Sequence, residues 1–328
     1  MRRFTARLLA ILISAAFGAA GAGILWVWGS YHADGPATQP IKLIISKGAG
    51  VQEIAAQLLS YGVIDNEHLF VLGARFTETA RRMRAGEFVF QPKMSIDEII
   101  NHLVNGELVK RRITIPEGLL TREVVSLVAE TEGLVGDVPV DRPEGIYLPE
   151  TYFFSYGDKR SSVLSRMEKA MNLALGKAWA ARGKKITITS PREALILASL
   201  IERETGINGE RARVSSVFHN RLRLGMRLQS DPTVAYAVTG GKRPLGRPLT
   251  QSDLQISSHY NTYRHAGMPP GPIANPGLAA IMAAVRPRDS TDLYFVADGT
   301  GGHAFARTLH DHNQNVARWR DIQRRRAN

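Results

Sequence analysis

The chain has 328 residues, 44% hydrophobic and 22% charged, which excludes wholesale disorder and leaves room for about two domains of roughly 150 residues. Lys and Arg number 42 against 30 Asp and Glu, a formal charge of +12, which suits nucleic acid, anionic lipid or a carboxylate-rich polymer without choosing among them. Cysteine is absent, so disulfides, thiolate metal sites, thiol nucleophiles and lipidated cysteines are excluded.

Arg2, Arg3 and Arg7 precede an uncharged run of 22 residues, Leu8 to Gly29. At about 1.5 Å per helical residue the run reaches about 33 Å, enough to cross a hydrocarbon core of about 30 Å. Trp26, Trp28 and Tyr31 stand at its far end, where amphipathic rings favour the interface. Basic residues before the span predict that the rest of the chain lies outside the cytoplasm, which removes most nucleic-acid readings. A signal peptide cleaved in the Ala/Gly-rich middle is the alternative. The run exceeds the apolar core of about 7–15 residues usual there, which favours an uncleaved anchor over residues 1–30. Residues 31–40, YHADGPATQP, read as a short tether.

Residues 41–140 show a weak repeat of strand–helix units. Ile41–Ser46 leads into a helix with Val51, Ile54, Leu58 and Leu59 on one side. Phe88–Phe90 leads into a helix opened by the capping box Ser95-Ile96-Asp97-Glu98. Ile113–Ile115 leads into a helix through Glu123-Val124-Val125. The first unit resembles a LysM-type glycan-binding module; a structural spacer is the alternative. Residues 141–328 form the larger remaining part. Its EGIYLPETYFFSY stretch (144–156) is the densest in aromatics, and Tyr147, Tyr152, Phe153 and Phe154 read as core more readily than as a sugar platform. A helix is expected from Ser162 to about Arg182.

The chemistry is concentrated in SPREALILASLIERETG, residues 190–206. Ser190 caps, Pro191 takes the first helical position and Glu193 completes a capping box, so a helix should run to about Thr205. At about 100° per residue, Leu197, Leu200 and Ile201 lie within about 60° of Glu204, whereas Glu202 points about 160° away. A carboxyl on the apolar face at a helix C-terminus suffers desolvation and an unfavourable dipole. Both raise its pKa and suit it to general-acid work. An equally open reading pairs Glu204 with a buried Arg221 or Arg223.

A second helix is expected over Glu210–Leu224, ended by Gly225. Asp231 before Pro232 reads as a helix N-cap rather than a second catalytic acid. His303, His310 and His312 with Asp311 lack a metal-ligand spacing and read as surface. Gly299–Gly302 reads as the turn of a hairpin between Leu293–Ala297 and His303–Ala306, and Arg324-Arg325-Arg326 as a solvated tail.

The segments EGIYLPETY, ASLIERETG, VFHNRLRLGMRLQSDPTV, YNTY, GMPPGPIANPG and LYFVADGTGGHAF, within residues 144–306, resemble the YceG-like (MltG) endolytic murein transglycosylase family. The resemblance implies an α+β protein: a transmembrane helix, a LysM-like strand–helix module and a mixed α+β catalytic domain. It implies that Glu204, the second Glu of the family's E-K-E-T string, is the catalytic residue; Arg203 replaces the Lys and preserves its charge. Thr205, Gln229, Ser230, Tyr260 and Asn261 are its implied substrate-binding residues. No cofactor, metal or nucleic acid is implied. The implied reaction cuts the MurNAc–GlcNAc bond of nascent peptidoglycan strands without water, from a single-pass inner-membrane position with the catalytic domain in the periplasm. Peptidoglycan synthases (penicillin-binding proteins) are the implied partners. A noncatalytic glycan-binding scaffold and a hydrolytic muramidase using Asp231 are the alternatives.

Overall fold

A computed structural model describes residues 2–327 and divides into two compact units. The first holds the chain up to Arg111 with Phe154–Gly157; the second holds Arg112–Phe153 and Asp158–Asn328. The architecture is mixed α+β.

The first unit begins with α1 (Arg2–His32). Its segment Ile11–His32 is long and apolar enough to cross a membrane, and Phe17, Ile24, Leu25, Trp26 and Trp28 are exposed along it. The side chains of Arg2, Arg3 and Leu8 lie outside the described residues. The chain continues through β1 (Ile41–Ile45), α2 (Val51–Ser60), α3 (Glu67–Phe76), β2 (Gly86–Phe90) and α4 (Ile96–Asn105). β1 and β2 are antiparallel, with Ile41 opposite Phe90 and Ile45 opposite Gly86. Leu43 and Ile45 of the sheet meet Leu58 of α2, Phe70 of α3 and Ile99 and Leu103 of α4 in one core. The Ser95 capping box forms as expected: Ser95 Oγ accepts from Glu98 N–H, and Glu98 returns to Ser95 N–H at 2.9 Å.

The strands of the first two repeat units therefore pair with each other and share a core rather than forming separate modules. α3 had no counterpart in the repeat. Its polar first turn is started by Asn66, whose side chain accepts from Leu69 N–H.

The second unit takes in all but the first residue of β3 (Arg111–Thr114) and all but the last of its pairing partner β4 (Thr151–Phe154), with α5 (Thr121–Glu130) between them in the chain. It continues through α6 (Arg160–Ala180), α7 (Pro191–Glu204), α8 (Arg211–Arg223), α9 (Asp231–Thr239), α10 (Leu278–Val285), the hairpin β5 (Tyr294–Ala297) and β6 (His303–Ala306), and α11 (Leu309–Ala327). The hairpin forms where its Gly-rich turn placed it. Tyr147, Tyr152 and Phe154 are core and only Phe153 is exposed.

α7 is the central helix, packed by α6, α8, α9 and α10. Ser190 Oγ accepts from Glu193 N–H (3.2 Å) and Pro191 opens the first turn. The Glu193 carboxylate binds Thr189 N–H and Oγ instead of closing a box on Ser190. Buried residues occupy nearly the whole circumference, from Ala194 through Ile196, Leu197, Ala198, Ser199, Leu200 and Ile201. A helix hydrophobic all round belongs inside a core. The expected division into one apolar and one polar face therefore gives way to burial on both.

Candidate active site

α7 delivers two carboxylates at its C-terminal end, and their surroundings differ. Glu202 has a side chain only 4% exposed and paired at 3.0 Å with the equally buried Arg211 of α8. Its other oxygen accepts from Gly277 N–H at 2.8 Å. Arg211 also reaches Glu117 at 3.2 Å. The buried ion pair thus belongs to Glu202.

Glu204 is the last helical residue, with Thr205 as C-cap, and no cation stands within ion-pair distance of it among the described residues. Arg221, an expected partner, is buried but donates to the carbonyls of Leu293 and Leu228, each at 2.7 Å. Arg223 binds Asn220 Oδ1 at 2.8 Å. The short hydrogen bond that Glu204 does make comes from Ser230 Oγ. Burial pushes the Glu204 carboxyl up to about 7, and the nearby charge of Asp231 adds to the rise. The Ser230 hydrogen bond and the more distant Arg221 pull the other way without cancelling it.

Ser230 is aimed by a strained backbone. Gln229 has φ of +50°, a left-handed conformation that non-glycine residues seldom adopt. The YNTY loop holds it there. Thr262 carbonyl accepts from Gln229 N–H at 3.2 Å, and Thr262 Oγ from Ser230 N–H at 3.0 Å. Tyr263 donates to Asp231 at 2.6 Å. Burial and the adjacent Asp231 carboxylate push the Tyr263 phenol far up, so it remains a donor. Asp231 is the first residue of α9 and Ser230 occupies the N-cap position; the Asp231 side chain serves Tyr263 and not a cap.

The remaining implied site residues divide. Thr205 is buried, its hydroxyl between Ile207 N–H and Glu210. Gln229 is exposed beside Ser230. Tyr260 packs on Tyr236, centroids 4.8 Å apart, with burial and the charge of Glu144 raising its phenol. Asn261 is fully buried. Its amide donates to the carbonyls of Leu254 and Ile256 and accepts from Tyr263 N–H, each at 3.0 Å. Its polar atoms shape the loop. Tyr263, which sequence reasoning passed over, is the tyrosine in the field of Glu204. The repeated Tyr of YNTY was the only signal that could have named it.

Glu204, Thr205 and Gly206 open onto a cleft of about 290 Å³ whose other wall is the hairpin turn with Gly299, Gly301, Gly302 and His303, joined by Trp319 and Arg326 of α11. Arg326 donates to Gly299 carbonyl and lines this cleft, while Arg324, Arg325 and Arg326 are all exposed, as expected of a solvated tail. His303 is engaged by Glu210 at 2.7 Å, and no cluster able to hold a metal occurs among the described residues. A larger cleft of about 590 Å³ runs along Lys185, His219, Pro287 to Thr291 and Leu293. Its Asp289 is exposed and paired with Lys185, so it offers no sheltered acid.

A sheltered, protonatable carboxyl with one hydroxyl donor at the wall of an open cleft can give a proton to a bound oxygen and take one back. Comparison with known proteins finds relatives over most of the chain. A family model described as YceG-like matches residues 43–318. The endolytic murein transglycosylase of Bacillus subtilis is 30% identical over 306 residues, covering 84% of this chain and 83% of its own length. That of Streptococcus pneumoniae is 29% identical over 320 residues, covering 83% of this chain and 57% of its own length. A crystal structure of a yceG-like protein from Listeria monocytogenes matches with a TM-score of 0.54 at 28% identity, covering 85% of this chain and 99% of that one.

Proposed function

The chain belongs to the YceG-like family, and from that membership we propose that it is an endolytic murein transglycosylase with Glu204 as its one acid and base. The observation that carries the reading is the environment of Glu204: sheltered, without a paired cation, held by Ser230 and raised to about 7.

Glu204 starts protonated and gives its proton to the oxygen between MurNAc C1 and GlcNAc O4. The C1–O4 bond breaks with its electron pair on the oxygen, leaving an oxocarbenium-like centre at C1. The Glu204 carboxylate then takes the proton of the MurNAc C6 hydroxyl as that oxygen bonds to C1. A 1,6-anhydro ring forms, no water is consumed and Glu204 is protonated again. One carboxyl suffices because acid and base act in sequence, unlike the two carboxylates of most glycosidases. Ser230 orients the carboxyl and supports its charged form between the steps. Gln229, exposed at the strained turn, is available to the N-acetyl and hydroxyl groups of the sugars. Trp319 offers an aromatic wall, and Arg326 a cation for the carboxylates of the peptide stem.

The apolar segment of α1 supports a single-pass anchor in the inner membrane with the chain from β1 onward on the periplasmic side. The strand–helix fold of β1 to β2 supports a LysM-like module in the first unit; the proposed functional division at 41–140 and 141–328 leaves β3 and α5 with that module, whereas by compactness residues 112–140 go with the second unit. Penicillin-binding-protein synthases are proposed as partners on the family resemblance.

Digestion of purified sacculi tests the reading. Product ends one water lighter than reducing ends are expected. Reducing ends would instead favour a hydrolase using Asp231, and no product a glycan-binding scaffold.

A further inference from the structure

α1 does not end in a free tether: Val27 and Tyr31, near its C-terminal end, pack against the core of the first unit. The Tyr31 ring lies so close to Gly73 of α3 that a Cβ there would stand 2.3 Å from it. α3 is thereby fixed against the last turns of the apolar segment Ile11–His32. One helical turn is about 5.4 Å, comparable with the roughly 5–8 Å left for each headgroup layer when the hydrocarbon core is subtracted from the whole bilayer. Leu72 and Phe76 lie within a turn of Gly73, four residues apart and so on one face. They are 55% and 87% exposed. Among the described residues no other element covers this apolar pair, although α3 buries Phe70 and Ala74 on its other side.

The charges around the pair fit the same level. The chain folds back at the end of α3, Thr79 and Ala80 N–H both donating to Ala74 carbonyl. From Arg75 to Arg84 it carries four arginines and one glutamate, Glu78. Apolar side chains flanked by arginine make the pattern of a segment lying in an anionic membrane interface. Trp26 and Trp28, exposed on α1, mark that interface on the span itself.

We propose that the Leu72–Phe76 edge of α3, with Arg75, Arg81 and Arg82 around it, rests in the lipid interface beside the point where α1 leaves the bilayer. The first unit is then held to the membrane at two places, which restricts its rotation about the anchor. The inference rests on the reading of α1 as a membrane span, and not on the reaction proposed for Glu204.

The absence of cysteine permits a direct test on the full chain. Single substitutions Leu72→Cys, Phe76→Cys, Trp28→Cys and Gln52→Cys are labelled with an environment-sensitive fluorophore. The proteins are reconstituted in vesicles of phosphatidylethanolamine and phosphatidylglycerol, with nitroxide-bearing lipid or aqueous iodide as quencher. Labels at 72, 76 and 28 should be quenched several-fold more by the nitroxide lipid than the label at 52, an exposed position of α2, and less by iodide. Iodide-accessible labels at 72 and 76, with the label at 28 quenched by lipid, overturn the docking and leave the anchor standing. Labels at 72 and 76 shielded from both quenchers also overturn it, since protein would then cover the edge. A label at 28 untouched by lipid removes the anchor and this inference together, while activity on sacculi separately decides the role of Glu204.

Discussion

The two glutamates of α7 differ by what reaches them. Glu204→Gln keeps the shape and hydrogen-bonding capacity of the side chain but holds no transferable proton. Anhydro-product formation should fall by about 10²–10⁴-fold or more, measured by mass spectrometry of released fragments, with the fold retained. The parent's activity should decline as pH rises through about 7, where the acid form of Glu204 disappears. Its stability follows the same sign. The folded pKa lies above the unfolded value of about 4.3, so this group's contribution is fully present below that value and lost as pH climbs through about 7. Urea unfolding of Glu204→Gln should therefore vary less with pH across that window; parallel curves would show that Glu204 titrates normally. Ser230→Ala removes a hydrogen bond that favours the carboxylate. The alkaline limb of its pH–rate profile should move upward, together with a loss of kcat. A purely structural Ser230 would lower both rate and stability without moving the limb. Glu202→Gln leaves Arg211 with Glu117 as its remaining carboxylate partner. It should cost about 1–3 kcal/mol in urea unfolding yet leave the pH profile of the folded enzyme in place.

At the scale of elements, the site is one helix end closed by three separate pieces of chain. α7 carries Glu204, the turn before α9 carries Ser230, and the YNTY loop holds that turn. The hairpin β5–β6 with α11 makes the facing wall. α11 packs onto the hairpin turn closely enough that a Cβ on Gly299 would stand 3.0 Å from Ile322. At its end, Arg326 reaches the cleft. Arg326→Ala should raise KM several-fold for glycan strands bearing peptide stems and much less for strands without them, with kcat little changed, in steady-state assays of the two substrates. An equal effect on both would place Arg326 in holding the turn rather than meeting the stem. The match to the family model ends at residue 318, so this contact comes from the part of α11 beyond it.

For the whole molecule, α1 carries the apolar segment proposed as the anchor and is also part of a folded unit. Alkaline washing of membranes should leave the protein in the pellet, because a spanning helix is held by apolar burial and not by charge. Release into the supernatant would show a cleaved or peripheral segment. A chain beginning at Ala33 loses Val27 and Tyr31 from the first core. It should be soluble, with that core less stable by about 1–3 kcal/mol, read by urea unfolding against the full chain in detergent.

Short-range rules were legible along the chain. The apolar run announced α1, Ser190 and Pro191 started α7, Ser95 and Glu98 capped α4, and the Gly-rich turn placed the β5–β6 hairpin. Periodicity set Glu204 beside Leu200 and Ile201. These features depend on residues a few positions apart, where backbone geometry fixes which side chains meet. Partners far along the chain were decided only by the tertiary structure. Arg211 took Glu202 and left Glu204 unpaired, although the sequence offered Arg221 and Arg223 just as readily. Tyr263 rather than Tyr260 entered the field of Glu204, and Asn261 turned inward to hold its loop. The strands of the first two repeat units paired with each other, and Arg326 reached back from the exposed tail to the Gly299 carbonyl. A buried charge or amide takes whichever partner the packed chain brings within about 3 Å, and that choice is made by the approach of distant segments, which no local pattern records.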